Sequence, residues 1–143
     1  SNAYSEYIKK SIEKGENFDT IKDELKSKLS IIFSVELLNR FDGIIVYKPL
    51  GENELLKICQ ILIDDLKAEI LLKHGINLNI SERALKELVK LGTDPIFGAR
   101  PLSRKIDEII KTEIANLILT NEVSRGNTIL VDFEDNKFNF YIN

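Results

Sequence analysis

Among 143 residues there is one cysteine and one histidine, and that scarcity removes whole classes of chemistry. Cys59 can close no internal disulfide and has no cysteine neighbour with which to hold zinc, so a reducing compartment is the simple reading. His74 stands beside Gly75 at the end of an apolar-periodic run, where an imidazole faces water or caps carbonyls rather than acting as a base or ligand. Positive charge is not in excess: 20 Lys and Arg face 23 Asp and Glu, for a formal net charge of -3. With a pI near 5.3 and no aromatic-basic platform, a dedicated nucleic-acid binder is disfavoured. No apolar run reaches membrane-spanning length and no signal-peptide pattern opens the chain. There is no GxxxxGK[ST] loop, no HExxH and no GxSxG, so phosphate cradling, zinc hydrolysis and serine nucleophile chemistry lack their usual signatures.

What is present is ordinary globular material, 43% hydrophobic and 30% charged, enough for one domain or for a small domain plus a piece of another. Ser-Asn-Ala at residues 1–3 resembles a tag-cleavage remnant and is set aside. Tyr4, Ile8 and Ile12 predict a weakly amphipathic helix ending near Gly15. Asp19 or Thr20 is placed to cap a second helix carrying Ile21, Leu25, Leu29 and Ile32, and Ser34 to cap a short one running through Arg40. GIIVYKPL, residues 43–50, is short, β-branched and bounded by glycine and proline, which predicts a buried strand. A joint near residue 50 follows.

Beyond it, Leu55, Ile58, Leu62, Leu66 and Ile70 predict a helix of about five turns from near Asn53 to Lys73, with further apolar residues widening the stripe beyond one neighbour. Ile76, Leu78 and Ile80 alternate as a half-buried strand. Ser81 caps a helix stopped by Gly92, and Pro101 opens another of about five turns through Leu102, Ile106, Ile110, Ile114 and Leu117. Two alternating strands, 129–133 and 138–142, read as a hairpin about Glu134-Asp135-Asn136. The fold class is therefore α+β. Asp64-Asp65 and Asp132 to Asp135 read as solvated faces and turn residues, and Lys22 to Lys28 as the polar face of a helix.

Two arginines stand apart. Arg100 follows two small residues at a helix start, where little bulk obstructs a polyanion and the guanidinium can extend toward phosphate. Arg40 ends a short helix, a rigid mount for a side chain crossing to another subunit. For either one, a surface ion pair or a carbonyl cap is the plainer alternative, and the residues alone leave it open.

FSVELLNRFDGIIVYKPL and, one helix-strand-helix later, DPIFGARPLSR together resemble the end of the second AAA+ module of Clp-type ATPases, the ClpB disaggregases and the ClpA and ClpC unfoldases. The family patterns are F-x-P-E-[FL]-x-N-R-[IFL]-D and G-[YF]-D-P-x-[YF]-G-A-R-P-[LM]-x-R, and the likeness spans residues 17–143. Val35 replaces the usual proline and Thr93 the usual aromatic; neither change touches an arginine. The resemblance implies that Arg40 is an arginine finger offered to ATP on the neighbouring subunit of a homohexameric ring. It implies that Arg100 is the sensor-two arginine, reaching ATP on its own subunit past Gly98 and Ala99. It places Ile58 near adenine, with plain core packing as the alternative. Residues 4–50 would be the last part of a large AAA+ domain and 51–143 the small lid domain. The phosphate loop and the residues holding Mg2+ would precede residue 1, so this piece alone should not hydrolyse ATP. Implied partners are ring neighbours, protein substrates and, depending on the member, a ClpP-type protease or DnaK-type chaperone, in the cytoplasm, with neither nucleic acid nor membrane. From a different class stands a freestanding protein-interaction module with no nucleotide role.

Overall fold

The computed structural model describes residues 4–47, 50–94 and 98–143, and its chain divides into two compact units that meet in sequence at Pro49 and Leu50. In the first, α1 (Ser5–Glu13) and α2 (Phe18–Ile32) are tied by the Tyr4 hydroxyl, which donates to the Lys28 carbonyl at 3.0 Å, and by the Tyr7 hydroxyl bonded to Glu24. The cap of α2 is neither Asp19 nor Thr20 but Asn17, whose side chain accepts the Asp19 N–H at 2.9 Å. An amide oxygen two residues upstream satisfies a first-turn donor equally well, and Phe18 joins the helix as a result. Ile21 and Leu25 are the buried positions of α2, whereas Ile32 is exposed. Ser34 caps α3 (Val35–Leu38) as expected, accepting from the Leu37 N–H.

The expected strand does not form. Residues 43–47 have no strand hydrogen bonding, and Ile45 and Tyr47 are 77% and 81% exposed; Lys48 and Pro49 lie outside the described residues. A strand exists by pairing, and every strand described pairs within the second unit.

That second unit is built on α4 (Glu52–His74), which runs as predicted and ends where Gly75 takes a left-handed conformation. Its deepest row is Cys59, Ile63, Leu66 and Ile70, while Leu55, Ile58 and Leu62 are half-buried against the same core. The expected stripe thus holds at Leu66 and Ile70 and is shifted by one residue before them, where Cys59 and Ile63 lie deeper than Ile58 and Leu62. With apolar groups on several faces, the sequence gives no unique phase. Next come β1 (Asn77–Ile80) and α5 (Glu82–Gly92), capped by Ser81, whose hydroxyl accepts the Ala84 N–H at 3.1 Å. Gly92 does not stop α5 as a left-handed cap; it is the last helical residue and is buried.

The helix opened by Pro101 is continuous but not uniform: α6 (Arg100–Ile106), a π turn at Asp107–Lys111, then α7 (Thr112–Leu119). Strands β2 (Thr128–Glu134) and β3 (Lys137–Ile142) form the predicted hairpin, with Asp135 and Asn136 both at positive φ. The sheet order is β1-β2-β3, with β1 parallel and β3 antiparallel to β2. Leu78, Ile129 and Val131 project from the sheet into one cluster with Ile63, Leu88, Leu102, Ile106 and Ile110. Burying that set supplies the main drive to fold. A helical layer on a small sheet that ends in a C-terminal hairpin is the α+β architecture read from the sequence.

Candidate functional site

Arg100 is the first residue of α6, and the chain entering it is bent by a two-way backbone bridge. The Asp94 N–H donates to the Gly98 carbonyl at 3.0 Å, and the Gly98 N–H returns a bond to the Asp94 carbonyl at 2.8 Å. Gly98 sits at φ 62°, a conformation that a Cβ disfavours, and open space surrounds the place a Cβ would take. Its glycine is therefore required by backbone shape, and not by anything packed on it among the described residues. Pro95, Ile96 and Phe97 of the motif lie outside the described residues. Ala99 precedes the helix without a side-chain cap, and the Leu102 N–H bonds its carbonyl at 3.0 Å. Pro101, in the first turn, has no N–H that would need a partner.

The Arg100 side chain is exposed and has no ion pair or hydrogen bond among the described residues. Arg40, just past α3, is in the same state: its backbone N–H donates to the Leu37 carbonyl at 3.1 Å and its guanidinium is free. Arg83 bonds Asp132 and Glu134 and Arg104 bonds Glu108, whereas Arg125, its stem over Gly75, likewise has no ion pair or hydrogen bond among the described residues. Ile58 is half-buried on α4 and packs against the core, which is the plainer of its two expected roles. Arg40 stands in the first unit, and Arg100, Gly98, Ala99 and Ile58 in the second.

Free guanidinium groups suit phosphate oxygens, which they bind in a planar fork. Nothing here suits a divalent cation: among the described residues no group of His, Cys, Asp and Glu is arranged to hold one. No helix of the described residues is long and apolar enough to cross a membrane.

Two polar clusters were not read from the sequence. Asp132, for which the sequence predicts a solvated turn position, lies inside β2 and receives the Ser81 hydroxyl, the Phe133 N–H and the Arg83 guanidinium. The Ser81 bond leads in holding its carboxyl below the usual aspartate range, against the opposing effect of burial. It joins the cap of α5 to the sheet. Glu69 on α4 accepts from Lys73 at 2.6 Å and from Lys111 at 3.0 Å, and these bonds hold its pKa down to about 2. In each cluster the bonds between elements, Ser81 and Arg83 to Asp132 and Lys111 to Glu69, join residues distant in sequence, and no local spacing announces those.

Residues 50–131 match the family described as the C-terminal, D2-small domain of ClpB protein. The chain is 40% identical over 123 residues to the chaperone protein ClpB of Aquifex aeolicus, covering 86% of this chain and 12% of that protein. It is 36% identical over 140 residues to chaperone protein ClpB 2 of Nostoc, covering 98% of this chain and 16% of the relative. With the ClpB of Rickettsia felis the identity is 41% over 111 residues, 78% of this chain and 13% of the other. The chain thus spans less than a fifth of the curated relatives it matches. On a match that covers more than half of its residues, with the helical layer, small sheet and closing hairpin just described, the chain belongs to the ClpB D2-small family, the C-terminal part of a second Clp-type AAA+ module.

Proposed function

We propose that this chain lends two guanidinium groups to ATP gripped elsewhere, as the lid of an ATP-driven Clp unfoldase or disaggregase. Arg40 is the arginine finger, presented to ATP on the next subunit of a homohexameric ring; Arg100 is the sensor-two arginine, reaching ATP on its own subunit. The observation that carries the reading is that both arginines fixed by the family motifs are exposed and have no ion pair or hydrogen bond among the described residues, a state shared by Arg125, which no motif marks, but not by Arg83 or Arg104, which bond carboxylates. Gly98 and Ala99 set the bend and keep the approach to Arg100 clear, and Ile58 offers an apolar edge to the base from α4.

ATP, with Mg2+, supplies a phosphoanhydride whose cleavage drives the machine, and its phosphate loop and metal carboxylates belong to sequence outside this chain. What the chain contributes is charge and shape. A guanidinium poised at the γ-phosphate offsets charge that develops in transfer, an effect of about a thousandfold or more. Residues 4–50 are proposed as the last stretch of the large AAA+ domain. Supporting this, Ile31, Ile32, Val35, Phe41, Ile45 and Tyr47 leave an apolar surface exposed, as suits a segment completed by the rest of such a domain. The partners follow: ring neighbours, protein substrates, and a ClpP-type protease or DnaK-type chaperone, in the cytoplasm.

In the full-length protein, Arg40→Ala should reduce ATP turnover at least about a hundredfold while nucleotide binding persists, and Arg100→Ala should raise KM for ATP several-fold. Steady-state turnover and binding of a fluorescent nucleotide measure the two. Normal turnover by the Arg40 variant removes the finger role.

A further inference from the structure

Leu102, Ile106, Ile110 and Ile114 recur at strict intervals of four, and all four are buried. On a regular α-helix each such interval carries the side chain about 40° further round, so Ile114 would point about 120° away from Leu102. One core cannot cover that arc. The π turn at Asp107–Lys111 removes the drift: the Thr112 N–H bonds the Asp107 carbonyl five residues back, which takes one extra residue into the turn. Ile110 and Ile114 return to the side that Leu102 and Ile106 occupy.

A widened turn can slip, and two side chains at its end oppose that. The Thr112 hydroxyl donates to the same Asp107 carbonyl at 3.0 Å. Lys111 crosses a cleft of about 180 Å3 to α4 and bonds both oxygens of Glu69, at 3.0 and 3.2 Å. Among the described residues no other ion pair joins α4 to the helix of residues 100–119. Packing of the buried row sets the face of the helix, but apolar contacts lack direction and tolerate small rolls about it. An ion pair between two defined points does not. If the π turn reverted by one residue, the segment bearing Arg100 would turn by about 100° relative to Ile110 and Ile114.

We propose that Lys111 and Thr112 are positioning residues that lock the π turn and so fix the roll of the Arg100 helix against α4, the helix that carries Ile58. The inference rests on Arg100 facing nucleotide as proposed above. Its test compares Lys111→Met, Lys111→Arg and Arg100→Ala in the full-length protein, by KM and kcat for ATP and by thermal melting. An exposed ion pair is worth a few-fold in an equilibrium, so Lys111→Met should raise KM about threefold, with kcat and melting temperature little changed. Lys111→Arg should restore it. An unchanged KM in Lys111→Met beside a raised KM in Arg100→Ala overturns the positioning role and spares the reading of Arg100. No effect from Arg100→Ala sinks that reading itself. If Lys111→Met melts lower and its kcat falls while KM rises, the residue is merely structural and the inference fails.

Discussion

Gly92 shows how one hydrogen atom in place of a methyl group holds two helices at their distance. A Cβ built on it would stand 2.6 Å from Leu102 Cδ1 and 2.8 Å from Leu102 Cα. The leucine tip could swing aside, but its α-carbon is backbone, so α5 and α6 would have to part. Against this, alanine in a helix is favoured over glycine by about 1 kcal/mol. Overpacking a buried contact costs typically about 1–3 kcal/mol, and here Leu102 and Gly92 are both buried, so the clash wins. Gly92→Ala should therefore lower stability, by up to about 2 kcal/mol, read as a fall in the urea midpoint. An equal or raised midpoint would mean that the helices separate freely. Cys59 is the converse case, where the side chain itself fills the gap. Burial pushes its thiol up to about 11, so it serves as a small apolar core residue and not as a nucleophile.

Among the elements, the hairpin carries its own instruction. Asp135 and Asn136 have φ of 53° and 58°, the pair of left-handed residues that a two-residue turn of the primed type needs to match strand twist. Asn136→Gly should leave stability unchanged or raise it by a few tenths of a kcal/mol, and Asn136→Val should lower it by about 1–2 kcal/mol, because a β-branched residue is forced into that region. Urea titration of the two variants decides it; equal losses would mean that the turn is not set by this backbone. Local signals of this kind are why α4, α5 with its Ser81 cap, and β2-β3 could be read from spacing and turn residues. The failures have a common cause in distance. Residues 43–47 have strand composition, but a strand needs a partner that composition cannot name. The deepest row of α4 depends on neighbours far along the chain, and the Glu69–Lys111 bridge spans 42 positions. The strict fours from Leu102 to Ile114 do encode the π turn, yet a stripe is read with a tolerance of one residue, which hides it. Arg40 and Arg100 were singled out by position, but their roles came from the family motifs, because an exposed arginine has no period.

For the whole molecule the question is whether the lid holds its shape without the first unit. Every member of the main core cluster and of the sheet lies beyond residue 50, and Ile21 and Leu25, the buried pair of α2, are not part of that cluster. Phe41 and Tyr47 are exposed and lie in no helix or strand, which offers a protease with aromatic preference an entry. Brief chymotrypsin treatment should cut there first and release a product starting close to residue 48. For a domain of this size about 1 kcal/mol shifts the melting temperature by roughly 4–8 °C, so a product whose transition stays within about 3 °C of the intact second-unit transition has lost little. That is the expected result, and a collapse of the transition would show that residues 50–143 depend on the first unit. The outcome bears on the proposed mechanism. A lid that keeps its fold when cut free can carry the state sensed at Arg100 as one rigid body, because its core does not have to rearrange for its orientation to change.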